Sequence, residues 1–210
     1  MFRAILPAAL FAVLSCSSLA VVAEEKVKGA DPAGTPLELS VTGKVTKYTT
    51  DVTTQKAADD LKNSIESASK AGRALPAAPA VDLSVEIKNT SDKPVTVWIS
   101  GDPVVLTLTL KGKGAVNAAP ALAFTEEFRS PKGVEIAAGK THVIPVTALQ
   151  SGYRGRAHWA YWTAPGEYEL VATLKTGMNP APKGAKDANG GFGAVTLTSA
   201  PLKLVVEAKK

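Results

Sequence analysis

Beyond residue 80 the chain alternates apolar and polar side chains with few interruptions, and a period of two admits few folds. Val81, Leu83, Val85 and Ile87 alternate with Asp82, Ser84, Glu86 and Lys88. After a turn cluster at 89–94 (NTSDKP), Val95, Val97 and Ile99 resume the pattern. Gly101-Asp102-Pro103 turns the chain, and Val104, Leu106, Leu108 and Leu110 then stand opposite Thr107 and Thr109. Tyr168, Leu170, Ala172 and Leu174 alternate after the turn Ala164-Pro165-Gly166-Glu167, and Leu202, Leu204 and Val206 oppose Lys203 and Glu207. Successive side chains of a strand point to opposite faces, so each segment buries one face and wets the other. Two such sheets must cover each other.

Upstream of residue 80, Leu37, Leu39 and Val41 form one more strand. The period then breaks. Ala57, Leu61, Ile65 and Ala68 recur at helical spacing, with Lys56, Asp60, Lys62, Asn63 and Glu66 off the stripe, which predicts a short amphipathic helix. Thr53 or Thr54 can cap its start and Gly72 its end. Residues 73–80, with Pro76 and Pro79, read as an extended return strap. Pro145 within the strand 141–146 predicts an edge or a bulge. Residues 112–123 carry little pattern, residues 177–193 read as a long mobile loop, and Phe124 and Phe128 are expected to plug one end. About eight strands with closely spaced turns and one helical insertion, at 51–80 with its strap, predict an all-β chain: an antiparallel β-sandwich of the immunoglobulin-like kind over residues 35–208. A parallel α/β sheet would need helices between its strands, and only one helical pattern is present.

The N-terminus places that domain. Arg3 precedes an apolar run broken by Pro7, and Val21-Val22-Ala23 forms a small-residue cleavage site, so residues 1–23 read as a secretory signal peptide and 24–34 as a flexible leader. The run is shorter than the ~20 residues that a spanning helix needs. Cys16, the single cysteine, sits in a segment that loosely resembles a lipoprotein cleavage box, although Leu14 is large where a small residue is preferred. Cleavage before Cys16 would give a lipid-anchored protein, the one route to a membrane partner; cleavage after Ala23 leaves a chain with no disulfide, exported to the periplasm or the exterior and stabilised by packing. Loss of Arg3 removes one charge from the net +5 of the whole chain, and the basic residues are dispersed, which argues against nucleic acid.

Four segments, KNTSDKPVTVWISGD, AAGKTHVIPV, YWTAPGEYELVATL and TSAPLKLVVE, resemble a family of uncharacterised exported proteins of environmental bacteria with immunoglobulin-like sandwiches. The resemblance spans residues 81–207. The N-T-S turn and P-G-E-Y elements resemble, more weakly, sandwiches of a bacterial proteinase-inhibitor type. The family carries no assigned activity, so the resemblance implies fold and export and no functional residue.

Reactive constellations are scarce. The sequence holds no Gly-x-Ser-x-Gly elbow, His-Glu-x-x-His or phosphate loop. His142 and His158 lack metal-ligand spacing and read as surface or rim residues, and no metal or other cofactor is expected. Asp59–Asp60 and Glu126–Glu127 are sequence neighbours whose side chains diverge, and Asp187-Ala188-Asn189-Gly190-Gly191 lacks the later ligands of a calcium loop. One segment stands out, residues 150–162 (QSGYRGRAHWAYW), where Tyr153, Arg154, Arg156, His158, Trp159, Tyr161 and Trp162 combine the residue types that dominate binding hot spots. The competing reading packs Trp159 and Tyr161 on one strand face, Trp162 at the sheet end and the arginines over rings. Tyr168, after Pro165-Gly166, resembles a tyrosine-corner residue with a structural role. The expected function is a non-catalytic binding or structural module of the cell envelope, partnered by a protein or glycan. The alternative is a protease-inhibitor-like sandwich presenting the 112–123 or 177–193 loop; a metal-dependent enzyme would require His142 and His158 to meet.

Overall fold

A computed structural model describes residues 29–120 and 128–209. The signal segment, Cys16, Phe124, Glu126 and Glu127 lie outside the described residues. In chain order the elements are β1 (Gly29–Asp31), β2 (Leu37–Gly43), β3 (Lys47–Thr50), α1 (Gln55–Lys70), β4 (Ala80–Asn89), β5 (Val95–Ser100), β6 (Val105–Lys111) and β7 (Ala115–Ala118). They continue with β8 (Lys132–Ile136), β9 (Thr141–Ala148), β10 (Gln150–Ser151), β11 (His158–Trp162), β12 (Gly166–Asn179), β13 (Asp187–Asn189), β14 (Phe192–Thr198) and β15 (Leu202–Ala208).

β12, fourteen residues long, is the axis of the larger sheet. On one side its first half pairs β15 and its second half pairs β14; on the other it pairs β6 and then, at Met178 and Asn179, β5. The β5–β6 and β14–β15 pairs are thus two long strands, each broken once. Pro103 and Pro201 stand at the breaks and have no N–H for a ladder. At the second break Ser199 completes the ladder: its N–H donates to Ala172 O (2.9 Å), and its Oγ accepts from Ala172 N (3.0 Å). β8 extends the sheet beyond β5, β1 and β13 flank β14, and β3 runs parallel to β15 at the far edge. The second sheet has the order β2-β4-β9, all antiparallel.

The two sheets face each other across one core, so the chain is an all-β sandwich. Leu37, Leu39, Val41, Leu83, Val85 and Ile87 come from one side; Leu108, Leu110, Tyr168, Leu170, Leu174, Leu197 and Leu204 from the other. These are the alternating positions, at about 25 cal/mol per Å2 of apolar surface removed from water. β9 is an edge strand with Pro145 opposite Ser84. Asn89, fully buried, holds the first turn: Nδ2 donates to Lys93 O (2.7 Å) and Ile136 O (2.9 Å), and Oδ1 accepts from Ser91 N (2.9 Å) and Oγ (2.7 Å). Tyr168 OH donates to Ala164 O (2.6 Å), tying the entry of β12 to the preceding bend.

A third, small sheet, β10-β11-β7, flanks β6 and is joined to it by side chains. Leu108 N donates to Ser151 Oγ (3.0 Å), and Asn117 exchanges two bonds with the Leu110 backbone (3.0 and 2.8 Å). α1 docks on this sheet: Ile65 is buried with Val116, Ala118 and Tyr161, and Leu61, Leu75 and Trp159 close the cluster. Thr54 caps the helix by accepting from Ala57 N (3.2 Å), and Gly72 takes the left-handed conformation behind it.

Several expectations need correction. Gly29–Asp31, read as part of a loose leader, pairs with β14. The 112–123 segment contains β7, and the 177–193 segment contains the end of β12, all of β13 and the start of β14. The physical reason for the second is Gly177: a Cβ there would collide with the Trp98 ring, so glycine admits that ring, and Phe192 stacks on it at 4.4 Å. Phe128 is exposed at 64% rather than plugging an end. In α1, Ala58 is buried where Ala57 was expected. Replacing Asn89 with Ala strips the first turn of four hydrogen bonds while burying two carbonyls; a loss of about 2–3 kcal/mol is expected in urea unfolding.

Candidate functional site

Alternation along β11 and the turn before it divides the 150–162 segment among four environments. Trp162 is buried in the main core and stacks with Tyr48 (5.2 Å between centroids). Tyr161 is buried beneath α1, where its OH donates to Pro76 O (2.7 Å) and so pins the strap, and half-buried Trp159 packs into the same cluster. Tyr153 is half-buried, with its OH 2.6 Å from Asp102 Oδ1 and 2.8 Å from Gly101 O, and Arg129 lies over its ring at 4.9 Å. Asp102 Oδ2 in turn accepts from Arg129 N (2.8 Å), so this cluster clamps the β5–β6 break to the segment before β8. The four aromatics therefore form no common exposed patch. The strand period sends neighbours to different layers: Trp159 and Tyr161 share one cluster, as the packing alternative has it, whereas Trp162 lies in the main core and the guanidinium over a ring is that of Arg129.

Arg156 and His158 lead elsewhere. Arg154 and Arg156 bound a 3-10 turn. Arg156, Ala157 and His158 then lean over β6 and β12 and, with Val105, Thr107 and Lys175, line an open cleft of about 360 Å3. That volume lies in the range of ligand sites. Arg156 and Lys175 are exposed, and among the described residues neither has an ion-pair partner. His158 is half-buried, its ring nitrogen Nε2 3.4 Å from Asn117 Oδ1, and burial holds its pKa below the usual imidazole value. Lys175 carried no signal in the sequence beyond an outward position on a strand; its place beside Arg156 is a product of register, Lys175 lying opposite Val105.

The cleft opens onto the outer face of the larger sheet. Register sets Thr107, Thr173 and Thr198 in one row across β6, β12 and β14, and Val105, Lys175 and Thr196 in the next. Among the described residues no hydrogen bond engages the hydroxyls of Thr107, Thr173, Thr196 or Thr198, whereas Thr35, Thr42, Thr163 and Thr176 all donate within the fold. A second cleft, of about 430 Å3, is lined by Lys111, Glu167, Glu169 and Lys203 with the neighbouring backbone. Glu169 stands opposite both Lys111 and Lys203, so charge there is balanced.

His142, on β9 opposite Ile87, belongs to the other sheet from the cleft. Asp59 accepts from Gln55, and Asp60 pairs with Lys56 at 2.7 Å on the exposed face of α1. Among the described residues no three His, Cys, Asp or Glu side chains come together.

Two outcomes follow from these placements. Trp162→Ala is expected to cost about 3–5 kcal/mol and Arg156→Ala to stay within ~0.5 kcal/mol, measured by thermal and urea unfolding. Tyr153 and Tyr161 are both pushed up to about 12, by burial in each case and, for Tyr153, also by its bond to Asp102. The folded chain therefore keeps protons that the unfolded chain releases near pH 10. Stability is full below that pH and falls as pH rises from 10 towards 12, and Tyr161→Phe reduces that slope in melts across this window. No protein-family model, curated protein or solved structure matches the chain.

Proposed function

We propose that the protein is a non-catalytic, exported binding module of the cell envelope, built on an immunoglobulin-like sandwich and binding through the outer face of its larger sheet. The order β2-β4-β9 against β5/β6-β12-β14/β15 supports the immunoglobulin-like reading, as do the parallel β3–β15 pairing at the edge and the Tyr168 bond to Ala164 O at the start of β12. Export rests on the signal-like residues 1–23 and on a chain whose one cysteine lies within that segment.

The observation that carries the binding role is the pair of exposed cations, Arg156 and Lys175, that share one cleft with no carboxylate lining it among the described residues. Like charges brought together, Lys175 on the sheet and Arg156 on the 3-10 turn above it, raise the local potential, and an anionic partner relieves it. A face on sheet residues is also better ordered than one on loops. The tyrosines and tryptophans of 150–162 hold the scaffold that presents it.

Isolated envelopes are expected to sediment the purified protein at low ionic strength and to release it in 0.5–1 M salt, on the order of the concentration at which the Debye length shrinks to a few ångströms. Mass spectrometry of the exported protein should find Glu24 at its N-terminus. Retention of residues 1–23 in a cytoplasmic protein, or envelope binding indifferent to salt, overturns the reading.

A further inference from the structure

We infer that the Arg156–His158–Lys175 cleft and the adjoining threonine rows form one binding track for an acidic, carboxylate-bearing polysaccharide. The inference rests on the binding role proposed above and adds the chemistry of the ligand.

Charge sets the first requirement. Arg156 and Lys175 flank the cleft, with His158 on its wall; of the acidic residues of the same face, Glu167 and Glu169 lie at its other end beside Lys111 and Lys203, and Glu135 stands opposite Thr96 beyond β5. Arg156 offers the planar fork that pairs with a carboxylate through two parallel bonds, and Lys175 a mobile point charge. Asp31, opposite Thr196 across β1, bounds the track on the side away from Arg156 and confines the attraction to the cleft end.

The second requirement is hydroxyl chemistry. Thr107, Thr173 and Thr198 stand in register, with Thr196 beside Lys175 and Thr109 opposite Val171. Strands are spaced ~4.8 Å apart, so a row from β6 through β12 and β14 to β1 covers about 14 Å of level surface. Each threonine offers a hydroxyl that both donates and accepts and a methyl group beside it. A sugar ring presents the same pair, hydroxyls at its rim and C–H groups on its faces. An extended chain of such rings can lie along the rows with a carboxylate in the cleft. A compact phosphate would occupy the cleft and leave the rows unused, and a membrane surface would leave the threonine hydroxyls without partners, while the apolar side chains of this face, Val105, Val171 and the stacked Trp98 and Phe192, are buried or half-buried.

The test measures binding of polygalacturonate by the purified full-length protein in affinity electrophoresis and calorimetry, beside dextran, inorganic phosphate and phosphatidylglycerol vesicles. Saturable binding of polygalacturonate is expected, with no retardation by dextran. The Arg156→Ala/Lys175→Ala double variant should lose about tenfold or more in affinity, Lys175→Arg should retain it, and Thr173→Val, which keeps shape and strand propensity, should lose a few-fold. Unchanged melting temperatures separate these effects from misfolding. Equal affinity of the double variant, equal retardation by dextran, no effect of Thr173→Val, or tighter binding to vesicles or phosphate than to polygalacturonate overturns the inference. If envelopes still sediment the protein in a salt-dependent manner while polygalacturonate is not bound, the ligand assignment alone falls and the binding role stands.

Discussion

The long central strand is the constraint on which the rest depends. β12 is bonded on both sides along most of its length, and its inward residues Tyr168, Leu170, Ala172, Leu174, Thr176 and Met178 are all buried. Fourteen consecutive residues in one register leave its partners no freedom to slip, since a shift of one residue would turn every core side chain outward. The partners therefore break instead. β5–β6 and β14–β15 each follow β12 for part of its length, interrupt near a proline, and resume. Where an interruption threatens a buried ladder position, a side chain supplies the missing partner, as Ser199 does for Ala172.

The satellite layer has a different logic. β10, β11 and β7 are short, and a sheet of that size has little stability of its own. It is held from two directions: Ser151 and Asn117 bond the β6 backbone, and α1 closes its outer side through Ile65 and Leu61. Tyr161 serves the second attachment twice, since its ring packs under the helix while its OH fixes the strap at Pro76. The helical insertion is accordingly a cover for an otherwise wet sheet face, which explains why its apolar stripe is narrow. Only Ala58, Ile65 and Ala68 are buried, and the charged remainder pairs along the helix, Lys56 with Asp60 and Lys62 with Glu66.

Legibility in the sequence tracked how local each signal was. The strands with four or more alternating apolar positions, the helix with its Thr54 cap, the edge position of Pro145 and a structural role for Tyr168 could all be read from the residues. β7 and β8 could not, because Ala115–Ala118 and Lys132–Ile136 carry too few large apolar side chains, and their pairing is supplied by β11 and β5. The extension of β12 past Thr176 was hidden for a subtler reason. Gly177 looks like the start of a loop, yet its lack of a side chain is what admits the Trp98 ring, which also explains why Trp98 is buried at a position where alternation with Val95 and Val97 points outward. In the 150–162 segment, composition suggested a hot spot, but adjacency in sequence is divergence in a strand. Tyr161 and Trp162 are neighbours whose rings lie in separate clusters.

That same divergence joins core and surface. On β12 the outward residues Thr173 and Lys175 alternate with the inward Ala172, Leu174 and Thr176. The backbone ladder that fixes Leu174 opposite Leu106 and Leu197 necessarily fixes Thr173 opposite Thr107 and Thr198, and Lys175 opposite Val105 and Thr196. The placement of Thr173 and Lys175 is thus inherited from the core's register, without hydrogen bonds or ion pairs of their side chains within the described residues. Thr173 and Lys175 can change without disturbing the packing beneath, while their spacing stays rigid to the tolerance of a β-ladder. A surface of this kind suits recognition by position and charge, in which a ligand meets donors already in place and little ordering entropy is lost on binding.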